Sequence, residues 1–355
     1  MFNTLLSKLL TSRVKRCFAG SILTVVAALP AIPSAMAAEY NWRFVNLYSR
    51  GTAYGEVYKS FADNIEAMSN GRIKVQMMYA GEGVGQTGVF GSVKSGLMTM
   101  GAPFQPMHAG EFPPGVVEVG LPGITSDVGE LTTLFREKGW GDVLTEAYDK
   151  QNLVWLEPYI QLPVYILTKK PINSIADFKG LKIRAPGAYG KFLRKLGASP
   201  AALAWSEIYT SLATGVIDGS IGSNIIDHRD GNHAEVAKFM YRLPIAGAQV
   251  LPIVVNKREW NKLPKDLQAI VRGASALHAT EQMTKSRIWE SKAIADMEKQ
   301  GMQWSPEPTQ ADIETWNVTA NSLWSEYANA DKYYDIAITI NAEKIEPQYM
   351  KGLIY

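Results

Sequence analysis

Residues 172–228 read INSIADFKGLKIRAPGAYGKFLRKLGASPAALAWSEIYTSLATGVIDGSIGSNIIDH. The apolar alternation of Leu181–Ala185 predicts a short strand, and Gly190–Leu196 a helix. Ser206–Thr214 predicts a second helix, with Ser206 placed to start it, and Val216–Gly219 opens another strand. Gly180, Pro186, Gly197 and Gly215 punctuate the run at the joints. Short strands alternating with helices describe an α/β fold whose strands run mostly parallel.

The same alternation extends to both sides. Upstream, Asn41–Leu47 reads as a strand, and Tyr54–Ser69 as an amphipathic helix with Val57, Phe61, Ile65 and Met68 on one face. Asn70-Gly71 ends that helix before a strand at Arg72–Met78, a helix at Val89–Ser95 and a strand at Thr99–Phe104. Leu131–Asp149 reads as one helix, followed by strands at Leu153–Glu157 and Val164–Thr168. Downstream, Val250–Asn256 is a strong apolar strand, and a helix begins with Pro264 in its first turn. Leu267–Lys299 holds one glycine and no proline, so it reads as one long helix, or two with a bend, able to cross between lobes. Thr309 and Asp312 cap a last helix over Ala311–Tyr327.

A chain of 355 residues exceeds one ordinary core, yet no Pro/Ser-rich linker divides it. Two lobes without a linker mean a chain that crosses between them more than once. We expect lobe I to comprise 39–163 and 251–292, and lobe II 164–250 and 293–355. Each lobe is expected to be a mixed sheet flanked by helices, with a cleft between that closes by hinge motion.

The N-terminus reads as an export signal. Lys8, Arg13, Lys15 and Arg16 precede the twelve residues Phe18–Leu29, and Ala35-Met36-Ala37 follows. A basic region, a short apolar core and a small-residue A-x-A site are the parts of a cleaved signal peptide over 1–37. Twelve residues are too few to span a bilayer, which takes about twenty. Loss of this segment turns the formal charge from +2 to −2 and removes Cys17, the sole cysteine. The mature chain is then expected in the periplasm, without disulfides or thiolate chemistry. Its near-balanced charge (36 basic, 34 acidic residues) gives no field that would draw it onto nucleic acid.

Catalytic signatures are missing. The chain has no G-x-S-x-G, HExxH or P-loop sequence, and Gly81–Gly85 lacks the dinucleotide spacing. His228 and His233 flank Arg229-Asp230-Gly231-Asn232 and read either as two metal ligands or, preferably, as a solvated polar turn without a third ligand nearby. The expectation is a protein that is not an enzyme and carries no cofactor or metal.

Four segments of the central region carry a family resemblance: Asp177-Phe178-Lys179-Gly180-Leu181-Lys182-Ile183-Arg184; Leu196-Gly197-Ala198-Ser199-Pro200; Trp205-Ser206-Glu207-Ile208-Tyr209-Thr210-Ser211-Leu212; and Gly215-Val216-Ile217-Asp218-Gly219. In this order they resemble the solute-binding proteins of tripartite ATP-independent periplasmic (TRAP) transporters, dicarboxylate-receptor type. Gly71-Arg72-Ile73-Lys74-Val75 and the Asn256–Gln268 segment fit too, so the resemblance runs from about Tyr40 to Met302. It implies a periplasmic receptor, monomeric or homodimeric, that closes on a small organic acid and delivers it to membrane permease subunits. A receptor for an ATP-driven importer, a periplasmic enzyme and a sensor subunit are the alternatives.

The resemblance places the carboxylate-binding arginine of the family at Arg184. A guanidinium suits the role, because its planar two-pronged donor set fits a carboxylate and stays charged when desolvated. Trp205 stands where the family has an aromatic against the ligand skeleton; as a residue it could equally pack the core. Many relatives carry a glutamate or an amide run after the Asp218-Gly219 turn, where this chain has Ser220-Ile221-Gly222. That departure puts a bound cation in doubt and makes Asn224 a candidate ligand contact, with Ser223 and Asp227 as further ones. Sialic-acid-type relatives carry an additional arginine at the entry of the strand Val164–Thr168; Gln161–Tyr165 has none, so a single main carboxylate anchor is expected, with Gln161 and Tyr165 as candidates to line the cleft. Tyr48 and Phe104 end the first and third predicted strands, and ligands of open α/β sheets sit beyond strand carboxyl ends. Together these side chains predict a rather apolar pocket with one main carboxylate anchor.

Overall fold

The computed structural model describes residues 38–222 and 224–328. The expected signal peptide (1–37), Ser223 and the last part of expected lobe II (329–355) lie outside the described residues.

Eleven strands form among the described residues: β1 (Tyr40–Val45), β2 (Ile73–Met78), β3 (Met100–Gly101), β4 (Leu153–Gln161), β5 (Ile166–Thr168), β6 (Lys182–Arg184), β7 (Ser199–Ala201), β8 (Gly219–Ile221), β9 (Phe239–Met240), β10 (Gln249–Asn256) and β11 (Gln303–Trp304). They make two mixed sheets flanked by helices, with strand orders β2-β1-β3-β10-β4 and β11-β9-β5-β8-β6-β7. In the first, β1 runs parallel to β2 and β3, while β10 is antiparallel to β3 and β4. In the second, β6 runs parallel to β7 and β8, while β5 is antiparallel to β8 and β9.

Burial explains these elements. In β1, Trp42 and Phe44 point inward while Asn41 and Arg43 face water, the alternation of a half-covered strand. In contrast, all eight residues of β10 are buried, because it sits between two neighbours and under helices. Its Pro252 lacks an N–H, and the register shifts between Leu251 and Ile253 where that ladder bond is lost.

Two expectations about helices are corrected. The predicted Leu131–Asp149 helix is two, Val128–Arg136 and Trp140–Asp149, broken at Gly139, whose φ of 81° is left-handed. Nor does Ser206 cap the helix after it. A 3₁₀ turn over Trp205–Glu207 leads into Ile208–Thr214, and the Glu207 carboxylate accepts the Ala204 N–H at 2.8 Å. The capping of the last helix, Gln310–Ala328, is as expected: Thr309 N–H donates to the Asp312 carboxylate (3.1 Å) and Asp312 N–H to the Thr309 hydroxyl (3.2 Å).

The long helix is a single element, Lys265–Lys299, with Pro264 at its N-cap. Its 35 residues span about 50 Å. It packs on β4 and on helix Ala53–Met68 of the first sheet, and on helix Ile225–Asp230, which follows β8 of the second. His278 is buried among Tyr58, Phe61 and Tyr159, and burial lowers its pKa to about 3. The buried apolar side chains fall into two clusters, and each draws residues from both sheets.

Candidate functional site

The carboxyl ends of strands from both sheets converge on one cavity. Leu47 and Tyr48 lie just past β1, Phe104 past β3, and Leu251 near the start of antiparallel β10. From the second sheet come Arg184, the last residue of β6, then Trp205 and Gly222, just past β8. Asp227, on helix Ile225–Asp230, completes that wall. The cavity measures about 50 Å³, room for a ligand of only a few heavy atoms without further opening.

Arg184 is 3% exposed. Its Nε donates to the Leu203 carbonyl (3.1 Å) and its Nη1 to the Ile221 carbonyl (2.9 Å). Both partners are neutral backbone, and among the described residues it forms no ion pair. Burial pushes its pKa down to about 10, which leaves it charged at neutral pH. A desolvated cation without an anion is costly, and the cost falls when an anion arrives. Ile221, in the Ser220-Ile221-Gly222 run that departs from the relatives, contributes its carbonyl to holding this guanidinium.

A chain of amides and phenols stands behind the opposite wall. The Gln161 amide donates to the hydroxyl oxygens of Tyr48 (2.8 Å) and Tyr159 (2.6 Å). Asn224 Nδ2 donates to Tyr54 Oη (2.9 Å), and its Oδ1 accepts the N–H groups of Ile226 (3.0 Å) and Asp227 (3.4 Å). Asn224 therefore caps the helix that carries Asp227 and ties it to helix Ala53–Met68 of the first sheet. Losing both functions in Asn224→Ala is expected to cost about 1–3 kcal/mol in chemical denaturation, whereas Asn224→Asp, which keeps the cap, loses less.

Of the candidate residues, Tyr48, Phe104, Arg184 and Trp205 line the cavity. Gln161 and Asn224 are buried just behind it. Tyr165 packs edge-on against Trp304, ring centroids 5.4 Å apart, away from the lining, and Ser223 lies outside the described residues. The side chains of Gln86 and Gln249 also line the cavity, and nothing local in the sequence marks them.

The turn at 228–233 is not solvated, contrary to the sequence reading. His228 and His233 are buried with their Nδ1 atoms 3.0 Å apart. Gly222 N–H donates to Nε2 of His228 (3.2 Å), which assigns the His228 proton to Nδ1 and its bond to His233. Burial first, and the charge of Arg184 after it, lowers His233 to about 4; burial, His233 and Arg184 also push His228 well down. Two neutral imidazoles thus back Gly222 and Trp205, whose ring lies 5.1 Å from that of His233. Among the described residues no group of three or more His, Cys, Asp or Glu side chains is arranged to hold a metal ion.

A larger hollow of about 290 Å³ lies elsewhere, between β4, helices Val128–Arg136 and Trp140–Asp149, and the long helix. Volume alone would favour it. The smaller cavity is the stronger candidate because the strand ends and a buried guanidinium converge there.

The family model of bacterial extracellular solute-binding proteins, family 7 (DctP), matches residues 44–331. The chain belongs to this family. These receptors are the solute-binding components of TRAP transporters. Among curated relatives, the monocarboxylate 2-oxoacid-binding periplasmic protein of Nostoc sp. is 26% identical over 284 residues, 78% of this chain and 74% of that one. A TRAP solute-binding protein of Pseudoalteromonas atlantica, solved with bound sodium and pyruvate, superposes with a TM-score of 0.77 at 26% identity, covering 85% of this chain and 93% of that one. DctP7 of Bordetella pertussis, a receptor binding pyroglutamic acid, has the same TM-score at 21% identity, covering 84% and 98%. No helix of the described residues of this receptor is long and apolar enough to cross a membrane.

Proposed function

We propose that this TRAP receptor captures a small organic acid between two lobes, with Arg184 as the carboxylate anchor. The observation that carries the reading is a buried guanidinium, held by two carbonyls and in no ion pair among the described residues, at the convergence of strand ends from both sheets. An incoming carboxylate supplies the missing anion through charge-assisted hydrogen bonds. Leu47, Phe104, Trp205 and Leu251 supply apolar walls for its carbon skeleton. Relatives named for 2-oxoacids, pyruvate and pyroglutamic acid support a ligand of this class.

The first sheet draws on 40–161 and 249–256 and the second on 166–240 and 303–304, which supports lobes of 39–163 plus 251–292 and 164–250 plus 293–355. The ligand enters when these move apart and is enclosed when they close. Export through the 1–37 signal places the receptor in the periplasm, where it hands the acid to the membrane permease subunits without chemical change.

The test is a thermal-shift screen of the mature chain against small organic acids, each paired with its neutral amide. At a hundredfold excess over Kd, mass action adds about 2.7 kcal/mol, a rise of several degrees. An acid that raises the melting temperature while its amide does not supports the reading. A screen in which amides match their acids would sink the carboxylate anchor, and turnover of any compound would favour an enzyme.

A further inference from the structure

One peptide group at the cavity wall is held from both sides. Ile221 ends β8, and the peptide joining it to Gly222 presents its carbonyl to Arg184 Nη1 (2.9 Å) and its N–H to Nε2 of His228 (3.2 Å). A peptide is planar and turns as one unit, so the acceptor on its N–H sets where its carbonyl points. His228 is itself fixed. It is buried on helix Ile225–Asp230, its Nδ1 lies 3.0 Å from Nδ1 of buried His233, and the Tyr165 carbonyl is a further acceptor on this ring. Both rings pack against glycine: a Cβ on Gly222 would stand 2.7 Å from His228 Nε2, and one on Gly231 2.5 Å from His233 Nε2. Side chains there would push the imidazoles away, so the close approach needs glycine. Burial is the first of the causes that push the His228 pKa well down, so the ring is neutral at neutral pH and accepts through one nitrogen.

We propose that His228 is a positioning residue for ligand binding, which sets the Arg184 guanidinium for the incoming carboxylate through the Ile221–Gly222 peptide. This rests on the receptor reading above. His228 does not line the cavity. Its Nε2 takes the Gly222 N–H, which turns the Ile221 carbonyl onto Nη1, while the Leu203 carbonyl holds Nε at 3.1 Å. Two carbonyl contacts fix the plane of the fork and leave its remaining N–H groups for the acid. Such preorganisation lowers the ordering cost of binding. The same pair of rings backs Trp205, 5.1 Å from His233, so anchor and apolar wall share one support. Loss of the Nε2 acceptor strands a buried N–H, and the peptide is expected to turn toward another partner, taking its carbonyl off Arg184.

The experiment is calorimetric titration of the mature receptor and its His228 variants with pyruvate, lactate and pyroglutamate at neutral pH. His228→Leu removes the acceptor. His228→Asn keeps an amide but ends one bond short of the Nε2 position, whereas the amide oxygen of His228→Gln reaches it. An acid that binds wild type is expected to bind His228→Leu and His228→Asn about tenfold more weakly, and His228→Gln within about threefold of wild type. A general packing role would penalise both amides alike. Binding by His228→Leu at wild-type strength overturns the proposal, as does a His228→Gln affinity as weak as that of His228→Asn. Neither outcome touches the carboxylate reading. Should the variants not fold, nitrogen NMR of isotope-labelled wild type decides: Nε2 of His228 is expected to be unprotonated at neutral pH, and a proton on it overturns the proposal because that nitrogen could not then accept. Failure of all three acids to bind wild type removes the receptor reading and this proposal together.

Discussion

Arg184→Met is expected to abolish carboxylate binding while leaving the unliganded protein about as stable as wild type. The two effects have separate causes. Binding loses a charge-assisted two-pronged contact made in a desolvated site, and removing one partner of such a buried pair costs about 3–5 kcal/mol, a drop of roughly two orders of magnitude or more in affinity. Stability gains and loses at once. The carbonyls of Leu203 and Ile221 each lose a donor, which is unfavourable by about 1–3 kcal/mol apiece. Against this, a buried cation without a counter-ion disappears, and methionine fills similar volume with no charge to desolvate. The net change in unfolding free energy is expected within about 2 kcal/mol of zero. Arg184→Lys keeps the charge but lacks the planar fork, so it is expected to recover only part of the affinity. Titration calorimetry and urea denaturation on the same preparations separate the terms. A variant that unfolds easily yet binds normally would make Arg184 a structural residue.

Glu118→Gln is expected to flatten the dependence of stability on pH between about 5 and 8. Glu118 is 1% exposed, in helix Pro114–Val119, and its carboxyl meets Tyr148 Oη at 2.5 Å and Trp155 Nε1 at 2.7 Å. Burial outweighs these two bonds and raises its pKa to about 8, from an ordinary 4.5. The folded protein therefore holds a proton that the unfolded chain releases near pH 4.5. The stability this represents is complete below the unfolded value and is lost as pH rises through the folded one. Each pH unit inside the window costs up to about 1.4 kcal/mol. Glutamine resembles the protonated side chain in size and charge and does not titrate. The variant is thus expected to match wild type at pH 5 and to exceed it by about 3 kcal/mol near pH 7–8. Parallel pH profiles for the two proteins would show that the two donors suffice to keep Glu118 ionised. The carboxyl also anchors Tyr148, which accepts from Gln105 at 2.7 Å, directly behind Phe104 of the cavity wall.

How much of this was legible in the sequence differs residue by residue. Arg184 stands out because a charged side chain ends an apolar strand inside a run of spaced motifs. Trp205 stands out for its place between a small-residue segment and a helix. Gln86 and Gln249 carry no such mark, since a glutamine in a turn or at a strand start is ordinary until the fold brings it to a cavity. The histidines at 228 and 233 mislead for the same reason. Four polar or turn-forming residues between them read as a surface turn, yet helix Ile225–Asp230 and the turn after it are packed against other parts of the chain, which buries both rings. Glu118 sits in an apolar hexapeptide (PGVVEV) that gives no hint of its partners, which lie 30 and 37 residues away.

By itself the sequence determined the element types and most of their positions and the mixed α/β class, and it left the long helix open between one element and two with a bend. These depend on short-range physics: alternation in strands, 3.6-residue periodicity in helices, and turns made by glycine and proline. Tertiary structure alone decided that β10 returns antiparallel between β3 and β4 and that residues 48, 104, 184, 205 and 227 share one cavity. It also buried Arg184 there and gave its guanidinium the carbonyls of Leu203 and Ile221 as partners. Convergence of that kind depends on pairing between distant segments and on the desolvation that follows from it, and neither has a signature in local sequence.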